Sequence, residues 1–266
     1  MQGSPMSRSF IALTTFLLAI GFAVSPFFVS GFNGFSPDQF PIPQDNPSVQ
    51  PAGYAFSIWG VIYLWLIIGM GWGLWKRRDD YIWHDMRLPL SISLFIGCFW
   101  LAVAVASPIW ASVLIWVMLI SALYALFRSP RGDRGFAALP VGLYAGWLSA
   151  ASCVSLGLLA AGYGWMNANT AGLVFVGLAI VIAAGVQSTL RRAPTYGIAV
   201  IWALVAVIVQ NINASPTVAA LAAGGAIALI LMAWLFYAPC TGWHQIGHAS
   251  KVGLGCPAYQ NQSVNR

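Results

Sequence analysis

Long apolar runs recur along the whole chain, broken only by short polar or proline-bearing stretches. At about 1.5 Å of rise per residue, a run of roughly 20 residues crosses a hydrocarbon core of about 30 Å. The pattern predicts spans at 9–30, 54–75, 89–106, 110–127, 138–162, 171–190, 196–211 and 217–238. The seventh is short for a full crossing and is expected to extend toward Asn213. Only Ser107-Pro108 and its neighbours separate the third run from the fourth, which predicts a tight antiparallel pair. The expected fold is therefore all-α, a polytopic membrane bundle of about eight helices. Its organisation reads as a five-helix region over 1–165, three further spans over 166–240 and a tail over 241–266.

Composition agrees with the pattern. Hydrophobic residues make up 59% of the chain and charged residues 7%, against about 25% charged in an ordinary soluble domain. Too few charges remain to build a water-facing surface, so most side chains must meet lipid or one another. The first run follows Arg8 like a signal peptide, but apolar residues resume at Phe27, Phe28 and Val29 with no small-residue cleavage pattern. It is expected to stay as a span.

Charge then orients the spans. The chain carries 12 Lys and Arg against 6 acidic residues, all Asp. The cations cluster at run ends: Arg8; Lys76, Arg77, Arg78 and Arg87; Arg128, Arg131 and Arg134; Arg191 and Arg192; Lys251 and Arg266. With eight spans, every one of them falls on the same side, and the positive-inside rule makes that side cytoplasmic. Both termini are expected in the cytoplasm, in the inner membrane of a bacterium. This distribution also explains the net charge of +6 without nucleic acid as a partner; the lipid bilayer is the expected one. The cysteines show no CxxC spacing and no disulfide framework is expected.

The predicted spans lack ionisable side chains. Intramembrane carboxylates and histidines mark proton relays and ion paths, so a carboxylate-driven transporter is not expected. Lys76 and Lys251 both lie outside the spans, which removes a retinal Schiff base. No Gly-x-Ser-x-Gly elbow occurs, no catalytic residue set emerges, and an enzyme is not expected. Cys240, His244, His248 and Cys256 have loose spacing in a Gly-rich tail and do not make a metal site.

What the interior has is aromatic. Of 13 Trp, Trp72, Trp75, Trp83, Trp110 and Trp165 sit near span ends, where amphipathic rings belong. Trp59, Trp65, Trp100, Trp116, Trp147 and Trp202 lie deeper, and a buried indole N–H needs a partner. The long segment from Gly31 to Gln50 carries Pro37, Pro41, Pro43 and Pro47 with Phe32, Phe35 and Phe40. It is either an interfacial loop anchored by rings or a lid over a cavity.

Two motifs carry a resemblance. Pro51-Ala-Gly-Tyr54-Ala-Phe56-Ser-Ile-Trp59-Gly-Val-Ile-Tyr63 places a proline, a tryptophan eight residues on and a tyrosine four later. Tyr144-Ala-Gly-Trp147 in the fifth span is followed by Ala150, Ala151, Val154 and Ser155. With Trp100 in the third span, these resemble the TspO/MBR family, the tryptophan-rich sensory proteins related to the peripheral benzodiazepine receptor. Leu143, Ser155 and Gly97 stand where that family has a proline and two asparagines. The resemblance covers the first five spans, with three more helices beyond it.

It implies a binding cavity within the five-helix part for a hydrophobic small molecule, porphyrin or haem among the ligands, with no cofactor required. The implied roles are sensing, regulation or transport. The ligand-binding residues carried over are Pro51, Tyr54, Phe56, Trp59, Tyr63, Trp100, Tyr144, Trp147, Ala151 and Ser155. Trp59 with Tyr63, and Tyr144 with Trp147, are expected to wall one cavity from above and below. The alternatives are a permease for a small uncharged metabolite and a structural membrane subunit. Two lesser signals are Leu119-x4-Tyr124-x3-Arg128, a loose sterol pattern expected of any span end, and the small-residue faces Gly142-x3-Gly146 and Ala219 to Ala228. Such faces serve internal packing or a homodimer.

Overall fold

The structure, a computed structural model, describes residues 5–29 and 34–237. Among the described residues are eight long helices and no strand: α1 (Pro5–Val24), α2 (Ile58–Lys76), α3 (Tyr81–Ala106), α4 (Pro108–Arg128), α5 (Ala138–Gly162), α6 (Ala168–Thr189), α7 (Pro194–Asn211) and α8 (Pro216–Tyr237). Each is part of a segment long and apolar enough to cross a membrane. The protein is an integral membrane protein. Cys240, Lys251, Arg266, His244, His248 and Cys256 lie outside the described residues, as do Gly31 and Phe32.

Two of the predicted boundaries move. The third span begins at Tyr81, not at 89, because the Asp80 carboxylate accepts hydrogen bonds from the backbone N–H groups of Ile82 and Trp83 and caps the helix there. Pro89 then lies inside the helix rather than at its start. One consequence corrects the expectation of uncharged spans: His84, Asp85 and Arg87 are on α3. Arg87 is 1% exposed. Its guanidinium donates to the carbonyls of Gly73 at 2.8 Å, Arg77 at 3.0 Å and Arg78 at 3.1 Å. These are carbonyls at and just past the end of α2, where a cation complements the helix dipole. The second span also starts differently: Gly53–Ser57 form a 3-10 turn, and α2 proper begins at Ile58.

The helices form two rings that share α5. In the first, α1 lies between α2 and α3, α3 packs on α4, α4 on α5, and α5 returns to α2. In the second, α5 contacts α6 and α7, and α8 joins these two. One hydrophobic core runs through both. The sequence of α5 explains its central place. Between Ala138 and Gly162 it is rich in Gly, Ala and Ser, which let neighbouring backbones approach closely. A Cβ at Gly146 would collide with the Tyr196 carbonyl oxygen of α7, and one at Gly142 would lie 2.7 Å from Thr195 Oγ1. The Gly142/Gly146 face is thus filled by α7. On α8, Ala219, Ala222 and Ala226 are buried within the chain, whereas Ala220, Gly224 and Ala228 form an exposed small-residue stripe.

All the described Lys and Arg residues cluster at one end of the bundle, here termed the basic face. The chain crosses the opposite end over residues 34–52, and this segment folds onto the bundle. Phe40 sits over Gly162 and Val49 over Gly157, each in a notch that a side chain would fill. Polar bonds hold it: Ile42 N–H to Gly162 O at 2.9 Å, Ala52 N–H to Ala206 O at 3.1 Å, and Asn211 Nδ2 to Ser48 O at 2.9 Å. The Ser48 and Ser215 hydroxyls are 2.7 Å apart. Phe35, Phe40 and Val49 are buried. Of the two readings offered for this loop, the packing is that of a cover on the bundle end.

Candidate functional site

Beneath that cover lies an apolar cavity of about 70 Å³. Its long wall is α5, through Trp147, Ala150, Ala151, Cys153, Val154, Ser155 and Leu158. Trp100 of α3 and Ile115 of α4 face it from the first ring. Phe175, Val176 and Ala179 of α6, with Val200, Ala203, Leu204 and Val207 of α7, close it from the second. Gly34, Phe35, Val49, Gln50, Pro51 and Phe56 form its roof.

Six of the ten residues carried over from the family resemblance therefore line one space: Pro51, Phe56, Trp100, Trp147, Ala151 and Ser155. The other four do not. Tyr54 is 45% exposed and packs edge to face on Trp202, ring centroids 5.6 Å apart. Trp59, Tyr63 and Tyr144 are joined in an aromatic cluster around Phe22 of α1, with centroid distances to Phe22 of 5.6, 5.0 and 5.7 Å. Trp59 and Tyr63 stack at 5.3 Å, as their spacing of one helical turn allows. Tyr144 is fully buried, its hydroxyl 2.8 Å from Ser93 Oγ.

The expectation of open volume between the Trp59–Tyr63 pair and the Tyr144–Trp147 pair is corrected by this packing. Phe22 fills that volume, and Trp59 touches Trp147 directly. The cavity opens on a different side of α5, toward α6 and α7. Sequence reasoning missed the α6 and α7 residues because their side chains are ordinary aliphatics with no motif. The signal that pointed there was indirect: α5 is small-residue-rich along its whole length, so it had to be covered on more than one face.

The polar equipment of the site is sparse. The Trp100 indole donates to Ala111 O at 2.8 Å and is satisfied. Ser155 Oγ donates to Ser152 O at 2.9 Å, within its own helix. Trp147 is 2% exposed, and its Nε1 has no hydrogen-bond partner. A buried indole N–H without an acceptor costs about 1–3 kcal/mol, and Trp is ordinarily placed so that a partner is in reach. Among the described residues no charged side chain lines the cavity. Among the described residues no group of His, Cys, Asp or Glu could hold a metal ion, and Cys98 and Cys153 are free thiols. The arrangement can hold an apolar body, with Trp147 and Gln50 among the lining residues that carry a polar group. It offers no nucleophile–base pair.

A family model described as TSPO-like protein matches residues 10–235. The match runs through all eight helices, including the three beyond the five-helix region. Neither the characterised proteins nor the solved structures hold a significant match to the chain.

Proposed function

Given that the chain belongs to the TSPO-like family, we propose that it binds a hydrophobic small molecule inside the membrane, in the cavity shared by α5, α6 and α7, for sensing, regulation or transport. The observation that supports this reading is the unpaired N–H of Trp147, a residue of the mostly apolar chamber wall. A ligand carrying one acceptor, such as a carbonyl, hydroxyl or ring nitrogen, relieves that donor while its apolar body displaces nothing polar.

Size and charge constrain the ligand. The cavity of about 70 Å³ is well below the roughly 300–1,000 Å³ of ordinary ligand sites, so occupation requires the roof to lift. The roof is the part of the wall outside the long helices, attached by a few polar bonds and by Phe35, Phe40 and Val49. A porphyrin or haem fits only if its carboxylates stay at the roof, since no cation lines the chamber. The basic face is proposed as the cytoplasmic one, from the positive-inside rule. The roof then faces away from the cytoplasm, across what is proposed to be a bacterial inner membrane.

The test is a binding titration on purified protein in nanodiscs, following quenching of Trp fluorescence by protoporphyrin and by its uncharged dimethyl ester. Saturable binding, tighter for the ester and abolished by filling the chamber with Ala151→Trp, supports the proposal. No saturable binding of either compound, or binding indifferent to Ala151→Trp in a protein that still folds, overturns it.

A further inference from the structure

On the basic face, the loops joining α4 to α5 and α6 to α7 meet. Arg134 Nη2 donates to the backbone carbonyl of Arg192 at 2.6 Å. The Arg192 guanidinium reaches across to the end of α4, where its Nη2 donates to Phe127 O at 2.6 Å and Leu126 O at 3.4 Å. Those two carbonyls belong to the last turn of the helix, so the cation is fixed there by hydrogen bonds and by the helix dipole. Its Nε, buried, has no acceptor. Burial, and after it repulsion from Arg131 and Arg134, hold the Arg192 guanidinium below its ordinary pKa.

Among the described residues no carboxylate pairs with this group. Among the described residues the two ion pairs are Arg77–Asp133 and Arg128–Asp85. The other end of the same face is different, because Asp79 accepts from Ser9 and its carbonyl from Arg8. Three cations thus converge on one spot, one of them pinned with an unused buried donor. Like charges at such range are unfavourable unless an anion sits between them. Phe127 and Ile198, exposed within one turn of the helix ends, supply apolar surface beside it.

We propose that Arg131, Arg134 and Arg192 form a binding site for the phosphate of an anionic membrane lipid, whose acyl chains run along α4 and α7. Arg192 is the fixed element, and Arg131 and Arg134 bring positive charge beside it from the α4–α5 loop. Guanidinium groups suit this chemistry because they offer several donors to phosphate oxygens in fixed geometry. A zwitterionic headgroup would bring its own cation into the cluster and gain less.

The experiment compares retention of phosphatidylglycerol and phosphatidylcholine by native mass spectrometry of the detergent-purified full chain. Wild type is expected to hold at least one phosphatidylglycerol in preference. Arg131→Gln with Arg134→Gln is expected to weaken it about twenty-five-fold, two basic contacts each worth a factor of about five. Arg8→Gln with Arg78→Gln, at the other end of the same face, leaves retention unchanged. Equal retention of the two lipids, or equal losses from the two double variants, overturns the site. Inorganic phosphate and glycerophosphoglycerol are added as competitors at millimolar concentration. Their failure to displace the lipid supports a membrane source. Full displacement by inorganic phosphate alone overturns the lipid assignment. Because Arg192 also ties α4 to the α6–α7 loop, its own substitution is not used.

Discussion

Trp59 and Trp147 meet edge to face, ring centroids 6.1 Å apart, where α2 approaches α5. The two indoles share one contact but face different surroundings. Trp59 is stacked on Tyr63 within the cluster around Phe22. Trp147 also lines the chamber, with its N–H unpaired. Trp59→Phe is therefore expected to leave ligand affinity within about twofold, while Trp147→Phe, which removes the unpaired indole donor, weakens it about five- to tenfold. Equilibrium dialysis, which does not depend on either fluorophore, measures both. Equal effects from the two variants count against the proposed role of Trp147.

The fusion of the two rings gives a second expectation. A Cβ at Gly146 would meet the backbone carbonyl of Tyr196, and a backbone atom cannot rotate aside. Gly146→Ala must push α7 away from α5, an overpacking cost of about 1–3 kcal/mol or more. Gly177, on α6, has no atom within 4 Å of the position its Cβ would take. Gly177→Ala is expected to be neutral or slightly stabilising, since Ala is the better helix former by about 1 kcal/mol. Thermal unfolding of both variants in the same detergent decides. A Gly146→Ala protein as stable as wild type would show that the close α5–α7 approach is not required.

How much of this was legible beforehand depends on what kind of signal each feature leaves. Eight spans and their shared basic end were readable because lipid forces long apolar runs and Arg cannot be left in them cheaply. Arg87 was not readable as part of a span. The charges from Lys76 to Arg87 interrupted the apolar pattern, and the cap at Asp80 was hidden among them. The tryptophan motifs gave Trp147 but not the side of α5 on which space remains. That depends on Phe22, one of three phenylalanines on α1, with no motif around it. The α6–α7 wall left no pattern, because a Val, Ala or Leu lining a chamber looks the same in sequence as one facing lipid.

Asp133 links the α4–α5 loop to α2 and α3. Its carboxylate accepts from Arg77 Nε at 2.6 Å and from Trp83 Nε1 at 3.1 Å. The hydrogen bond from Arg77 holds the Asp133 carboxyl below the usual range, partly offset by burial. A carboxylate with a depressed folded pKa contributes stability above its unfolded value, about 4, and loses it as pH falls through the lower folded value. Arg77 is shifted upward by the same contact, so its share persists through the neutral range and is lost only in strong alkali. Asp133→Asn is expected to lower the unfolding temperature at pH 6–8, with the gap to wild type shrinking below about pH 4. A gap unchanged from pH 7 down to pH 3 would mean that charge is not what Asp133 supplies.

The cover over the chamber is held by the last helices, and Asn211 shows how. It is 1% exposed, and its Nδ2 donates to Ser48 O at 2.9 Å and to Val207 O at 2.8 Å. Leu has similar volume and keeps the packing, but it cannot donate, so Asn211→Leu leaves the Ser48 carbonyl without its buried partner at a cost of about 1–3 kcal/mol. That cost falls on the closed position of residues 34–52, since a lifted cover returns the carbonyl to water. The population of opened cover should rise about tenfold, corresponding to roughly 1.4 kcal/mol. Hydrogen exchange at the Ile42 and Ala52 amides, which are bonded to Gly162 O and Ala206 O, should accelerate by that factor while amides in α5 stay protected. If the cover gates the chamber, ligand association and dissociation should both quicken, with less change in affinity than in either rate. Faster exchange in the cover and in α5 together would instead signal global loosening. Unchanged exchange at Ile42 and Ala52 would show that the link to α7 does not hold the cover shut.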